Sequence, residues 1–227
     1  MLHQMRQGLD AFFATVESLA CLRRNKLYLI ALARRRGQGI GSMKILAIDA
    51  TLRNTACVLF DDDKLVDAWF ISTKADRAKW ETTSEKDQRD VADWVKGMQA
   101  VINEARPDIV CAEQSLGAAK SASALKQLSL VAGVMYTMAA LADVEAPWLF
   151  TRVHAATRAA VGKNTATKNE IINAMVKRFP DLERFVRSKK TGKWNTVAEH
   201  YADACANYLA CLDLPETKLI RQRESKK

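Results

Sequence analysis

Apolar positions along this chain change their period several times, and each change marks an element. KILAIDAT (44–51), TACVLFD (55–61) and KLVDAWFIST (64–73) are short apolar runs parted by a few polar residues. They predict three strands in an antiparallel meander. A helical period follows, in which Val91, Trp94, Val95, Met98, Val101 and Ile102 share one face, with Ser84 as the expected cap and Asp87 reaching back to it. Pro107 closes that helix, and DIVCAEQ (108–114) reads as a fourth strand. The stretch 123–142 is apolar on most sides and predicts a long buried helix; WLFT after Pro147 predicts a fifth strand. Helices are expected near 153–161, 167–178 and 196–212. No internal repeat or low-complexity segment interrupts this order.

Three strands, a helix, a strand, a helix, a strand and closing helices make an α/β domain. With 227 residues, 48% hydrophobic and 27% charged, the chain can bury a real core. The domain is expected to run from Met43 to about residue 213, with 214–227 as a basic tail. Residues 1–42 differ: seven Lys or Arg stand against Asp10 and Glu17, and RRRGQGIGS (34–42) reads as a basic linker. They are expected to be an over-long start or a DNA-binding arm, with organelle targeting as a third reading. Cys21, Cys57, Cys111, Cys205 and Cys211 are scattered without a Cys-x-x-Cys pair, which suits small core residues in a reducing compartment. No apolar run approaches a membrane span, so a soluble, cytoplasmic protein without a membrane partner is expected.

The net charge of +9 changes the picture by favouring an anionic partner such as nucleic acid. Residues 152–193 hold eleven Lys or Arg against Glu170, Asp181 and Glu183, a density suited to phosphate contacts but also ordinary for a solvated face. The acids are more specific. Asp49 ends the first predicted strand and Glu113 the fourth. If those strands are neighbours, both carboxylates emerge at one sheet edge, where ligands of open α/β sheets gather. In AEHYADACANYLA (198–210), His200 and Asp203 lie three apart and share a helical face. Each feature alone reads as a turn cap or a solvated pair. Together they suggest oxygen-rich metal ligation, because uncompensated like charges are costly to bury.

AIDAT, CAEQSL with AKSASALKQLSLVAGV, RAAVGKNTATKNEI and NTVAEHYADACA resemble, in order, the four signature blocks of the RuvC-type Holliday junction resolvases. The resemblance spans about Met43 to Cys211. It implies a ribonuclease H-like mixed five-stranded sheet flanked by helices, and a homodimer that nicks opposed strands of four-way DNA in recombination and repair. It further implies catalysis with two Mg²⁺ ions, for which Mn²⁺ would substitute. Asp49, Glu113, His200 and Asp203 take the catalytic and metal-ligand positions, with His200 as ligand or as the group ordering the nucleophilic water. A ligating imidazole must be neutral, so activity is expected to fall in acid. Glu199 is one residue off the ligand position and about 100° away around a helix, so it is expected to be an acid beside the ligands or a solvated one. Lys168, six residues after Gly162, matches a functional lysine of the family; Arg158, Lys163, Leu116 and Lys120 are the other DNA-contacting candidates.

Leu116 stands where the family often has a base-stacking aromatic, Thr196 replaces a usual proline, and 178–194 is longer and more basic than the usual bacterial segment. These departures suggest a divergent, phage-like or organelle-like member. The alternatives are a ribonuclease H-like nuclease acting on other branched DNA or RNA–DNA hybrids, and a junction-binding protein without catalysis.

Overall fold

The structure, a computed structural model, describes residues 42–73, 76, 78–114, 121–141, 146–152 and 154–224, with side chains to residue 221. Residues 1–41 of the extension, Leu116 and Lys120 lie outside the described residues. The first three strands are β1 (Lys44–Asp49), β2 (Asn54–Asp61) and β3 (Lys64–Ser72). Helix α1 (Thr83–Ala105), β4 (Ile109–Glu113), α2 (Ala122–Leu141) and β5 (Trp148–Thr151) follow. The strands form one sheet in the order β3-β2-β1-β4-β5. The meander β1-β2-β3 is antiparallel, as its tight turns require, whereas β1-β4 and β4-β5 are parallel across helical connections. The expected mixed five-stranded α/β sheet is the observed one.

The chain closes with α3 (Ala155–Val161), α4 (Lys168–Arg178), a single 3₁₀ turn at Pro180–Leu182, α5 (Glu183–Val186), α6 (Ala198–Leu212) and α7 (Pro215–Glu224). Helix α7 lies where a basic tail is expected; its Thr217 and Ile220 are buried.

Strand periodicity assigns the two faces of the sheet. Leu46 and Ile48 of β1, Cys57 and Leu59 of β2, and Val110 and Ala112 of β4 join Trp94, Met98 and Val101 of α1 and Val131 and Met135 of α2 in one core cluster. The alternate positions serve α6: Phe60 stacks on Tyr208 at 3.7 Å between ring centroids, and Cys111 Sγ donates to the Asn207 carbonyl at 3.6 Å. Because β1 and β4 are covered on both faces, their runs are apolar rather than alternating. Cys57, Cys111, Cys205 and Cys211 are buried free thiols, as expected of core residues.

Two local expectations are corrected. The cap of α1 is Thr82, not Ser84: Thr82 Oγ1 accepts from the Glu85 amide at 3.2 Å, and the Glu85 carboxylate accepts from the Thr82 amide at 2.7 Å. Two overlapping Ser/Thr-x-x-acid patterns compete here, and glutamate reaches back across the turn better than aspartate. Helix α2 is less buried than its composition predicts. Val131, Ala132 and Met135 are inside, while Leu125 and Leu141 are 47% and 78% exposed. By length and composition α2 also matches a membrane-crossing helix, contrary to the expectation that no such run exists. Here it packs as one flank of the core.

Candidate active site

The period of two that builds the core also sets the acids. Asp49 follows Ile45 and Ala47 on the α6 face of β1, and Glu113 follows Ile109 and Cys111 on the same face of β4. The parallel register pairs Ile48 with Ala112, so the next positions, Asp49 and Glu113, stand side by side at the carboxyl ends of neighbouring strands. Helix α6 is pinned over them by Asn207, whose buried Nδ2 donates to the Ile48 carbonyl at 3.0 Å. One and two turns earlier on the same helical face come Asp203 and His200. His200 Nδ1–H donates to Asp49 Oδ2 at 2.7 Å, and the Phe70 ring of β3 lies 6.0 Å from the imidazole between centroids.

The charges of this cluster do not balance. Burial, then the Asp49 and Glu113 carboxylates, push the Asp203 carboxyl up to about 7, with His200 opposing. Glu113 is also raised, first by burial and then by Asp49, against a hydrogen bond from the His154 amide. That bond is 3.2 Å long, and His154 adopts a left-handed backbone at φ 65°, an uncommon strain for a non-glycine residue. The hydrogen bond to Asp49 raises the His200 pKa, burial opposes it, and Asp49, Glu199 and Asp203 add to the rise.

Glu199, expected as a solvated acid or one beside the ligands, is the latter: one oxygen lies 3.8 Å from His200 Nε2 and the other is in an ion pair with Lys168 of α4, a partner not legible from residue types. Lys168 is thereby tied to the rim of the acid cluster. The other described basic candidates are also engaged: Lys163 pairs with Glu170 at 2.6 Å, and Arg158 Nε donates to Asn164 Oδ1 at 2.9 Å. All three remain exposed. His154 carried no sequence signal, since its contribution is a backbone amide.

Three carboxylates and an imidazole on one face form a donor set for a hard divalent cation, and burial first, then the neighbouring carboxylates, raise Asp203 and Glu113. Among the described residues, no group of three or more His, Cys, Asp or Glu is arranged to hold a metal ion. The donor chemistry fits a cation; the described side-chain arrangement ties His200 to Asp49 instead.

No family model and no curated protein sequence matches the chain. Solved structures do. Thermus thermophilus RuvC in complex with a Holliday junction is 18% identical with a TM-score of 0.52, over 74% of this chain and 92% of that one. A second T. thermophilus RuvC structure is 15% identical with the same TM-score and coverage. The yeast mitochondrial Holliday junction resolvase Ydc2 is 11% identical with a TM-score of 0.53, over 82% of this chain and 85% of that one. The chain shares their fold.

Proposed function

We propose that this protein is a divergent RuvC-like resolvase, a metal-dependent endonuclease that nicks opposed strands of four-way DNA junctions as a homodimer. The observation that carries the proposal is the convergence of Asp49, Glu113 and Asp203 under His200, with Asp203 pushed up to about 7 by burial first and by the Asp49 and Glu113 carboxylates second. An acid cluster of this kind is costly unless a cation shares the site. The shared fold with solved junction resolvases supports the substrate class, and the net charge of +9 suits a polyanion.

Asp49, Glu113, Asp203 and His200 would hold Mg²⁺ or Mn²⁺, two ions in all. The chemistry such ions supply when bound is acidification of water and polarisation of the scissile phosphate. The protein's own groups set the rest. The His154 amide and the flanking strands hold Glu113 in place, and Asn207 fixes the height of α6 over β1. With Nδ1 engaged by Asp49, Nε2 is the ring atom of His200 left to take or release a proton. Lys168, paired with Glu199, stands at the edge of the cluster, where a phosphate could replace the carboxylate as its partner.

The test is cleavage of a mobile four-way junction with Mg²⁺, beside linear duplex, flap and RNA–DNA hybrid. Paired nicks on the junction are expected. Asp49→Asn is expected to lower the rate at least about a hundredfold, the loss of several kcal/mol of charge stabilisation, while junction binding persists. Cutting of flaps or hybrids would move the assignment to a broader ribonuclease H-like nuclease. Binding without cutting in either metal would sink the catalytic reading.

A further inference from the structure

The segment between α5 and α6 belongs to no strand or helix, yet it is tightly built. Arg187 and Trp194 form an isolated antiparallel bridge. Inside it the Ser188 amide donates to the Lys193 carbonyl and the Gly192 amide to the Ser188 carbonyl, both at 2.8 Å. Gly192 sits at φ 67°, where a Cβ would strain the turn. Arg187 clamps the structure from one side: its Nη1 donates to the Gly192 carbonyl at 2.6 Å, its Nε pairs with Glu183, and its guanidinium lies 4.4 Å over the Trp194 ring. Arg187, Gly192, Lys193 and Trp194 line a concavity of about 490 Å³.

This framework displays Lys189, Lys190 and Lys193, all exposed and none in an ion pair among the described residues. Lys163 and Lys168, by contrast, are paired with carboxylates. Three like charges within five residues on a rigid turn repel one another, and an anion lattice would relieve that repulsion. The turn is also tied to the start of α6, the helix that carries His200 and Asp203. The Asn195 amide donates to the Val186 carbonyl at 2.8 Å, and Asn195 Oδ1 accepts from the Val197 amide at 3.1 Å, just ahead of α6. Six residues separate Trp194 from His200, a chain length that spans at most about 22 Å, or roughly six base pairs of duplex rise.

We propose that the 187–194 turn is a second DNA contact, gripping the phosphate backbone of a duplex arm within about half a helical turn of the cleavage site. It rests on the junction-nuclease reading above and adds a specific clamp to it: Lys189, Lys190 and Lys193 contact phosphates, and Arg187 with Trp194 holds the turn in shape. Phosphate contacts position DNA without reading bases, so the clamp sets which arm lies across the acid cluster, not which sequence is cut.

The test uses the full chain with Lys189, Lys190 and Lys193 all changed to Gln, and a control in which Lys64, Lys79 and Lys96 are changed to Gln. Junction affinity is measured across a salt series, and cleavage at saturating DNA is measured beside it. The clamp variant is expected to bind about tenfold or more weakly near 0.1 M salt, and to lose about 2–3 units from the slope of log affinity against log salt, since each phosphate contact contributes about 0.9. The control is expected to keep most of its slope and its cleavage at saturation. An unchanged slope in the clamp variant, or an equal loss in the control, would overturn the clamp while leaving wild-type cleavage as evidence for the nuclease. A wild type that binds but never cuts would overturn the nuclease and leave the clamp standing on its slope. A wild type that binds no DNA would overturn both.

Discussion

At the scale of single residues, the chemistry rests on groups that hold other groups in place. Asn195 is one. Its Nδ2 donates to the Phe185 carbonyl at 2.7 Å and its Oδ1 accepts from the Val197 amide at 3.1 Å, so one side chain joins α5, the basic turn and the start of α6. Helix α6 has no side-chain bond from its own capping residue, Val197, which leaves Asn195 to satisfy a free amide there. Asn195→Ala is expected to destabilise the protein by about 1–2 kcal/mol, the usual cost of a lost cap and its companion hydrogen bond. Urea unfolding measures this, and an unchanged midpoint would mean that the start of α6 is held by packing alone. The adjoining Phe185 ring, 5.9 Å from Tyr201 between centroids, is the packing that would have to do so.

At the scale of elements, α1 is anchored to the β1–β2 turn through Asp90. This carboxylate is fully buried and meets Lys86 at 2.6 Å, Arg53 at 2.8 Å and Arg89 at 3.3 Å. Burial pushes its pKa up, but the three cations outweigh burial and leave it below the ordinary aspartate value. A carboxylate with a depressed folded pKa contributes stability above its unfolded pKa near 4, and loses that contribution as the pH falls through the folded value. Asp90→Asn is therefore expected to cost about 3 kcal/mol at pH 7, because it strands partly buried cations. The gap between wild type and variant should narrow steadily below pH 4. Chemical denaturation at pH 7 and pH 3 checks it; a gap of constant size would mean that the loss is steric rather than electrostatic.

At the scale of the whole molecule, α1 and α2 leave an apolar groove of about 760 Å³, lined by Val95, Ile102, Leu130, Val134, Met138 and Trp148 among others, beside the exposed Leu141. The homodimer put forward in the proposed function would seat its second copy on this face, since exposed apolar surface of this kind marks association sites. Leu141→Glu, at a position 78% exposed, is expected to convert a dimer into a monomer in sedimentation at micromolar concentration, with thermal stability kept, and to replace paired nicks by single ones. A monomeric wild type would remove the dimer from the proposal.

Local periodicity determined much of this protein without help. The apolar runs placed all five strands within a few residues, most plainly β1, β2 and β4, because a strand buried on both faces must be apolar along its length. The same alternation put Asp49 and Glu113 at the ends of β1 and β4, and the i, i+3 spacing put His200 and Asp203 on one helix face. What the tertiary structure decided were the partners that no local rule encodes: Lys168 meets Glu199, and the His154 amide meets Glu113. Helix α2 shows an apolar face because composition sets how much apolar surface a helix carries, not how much of it packing covers. Spacing fixes which side chains share a face; only packing across 31 to 151 residues of chain, the separations of Lys168 from Glu199 and of Asp49 from His200, fixes which faces meet.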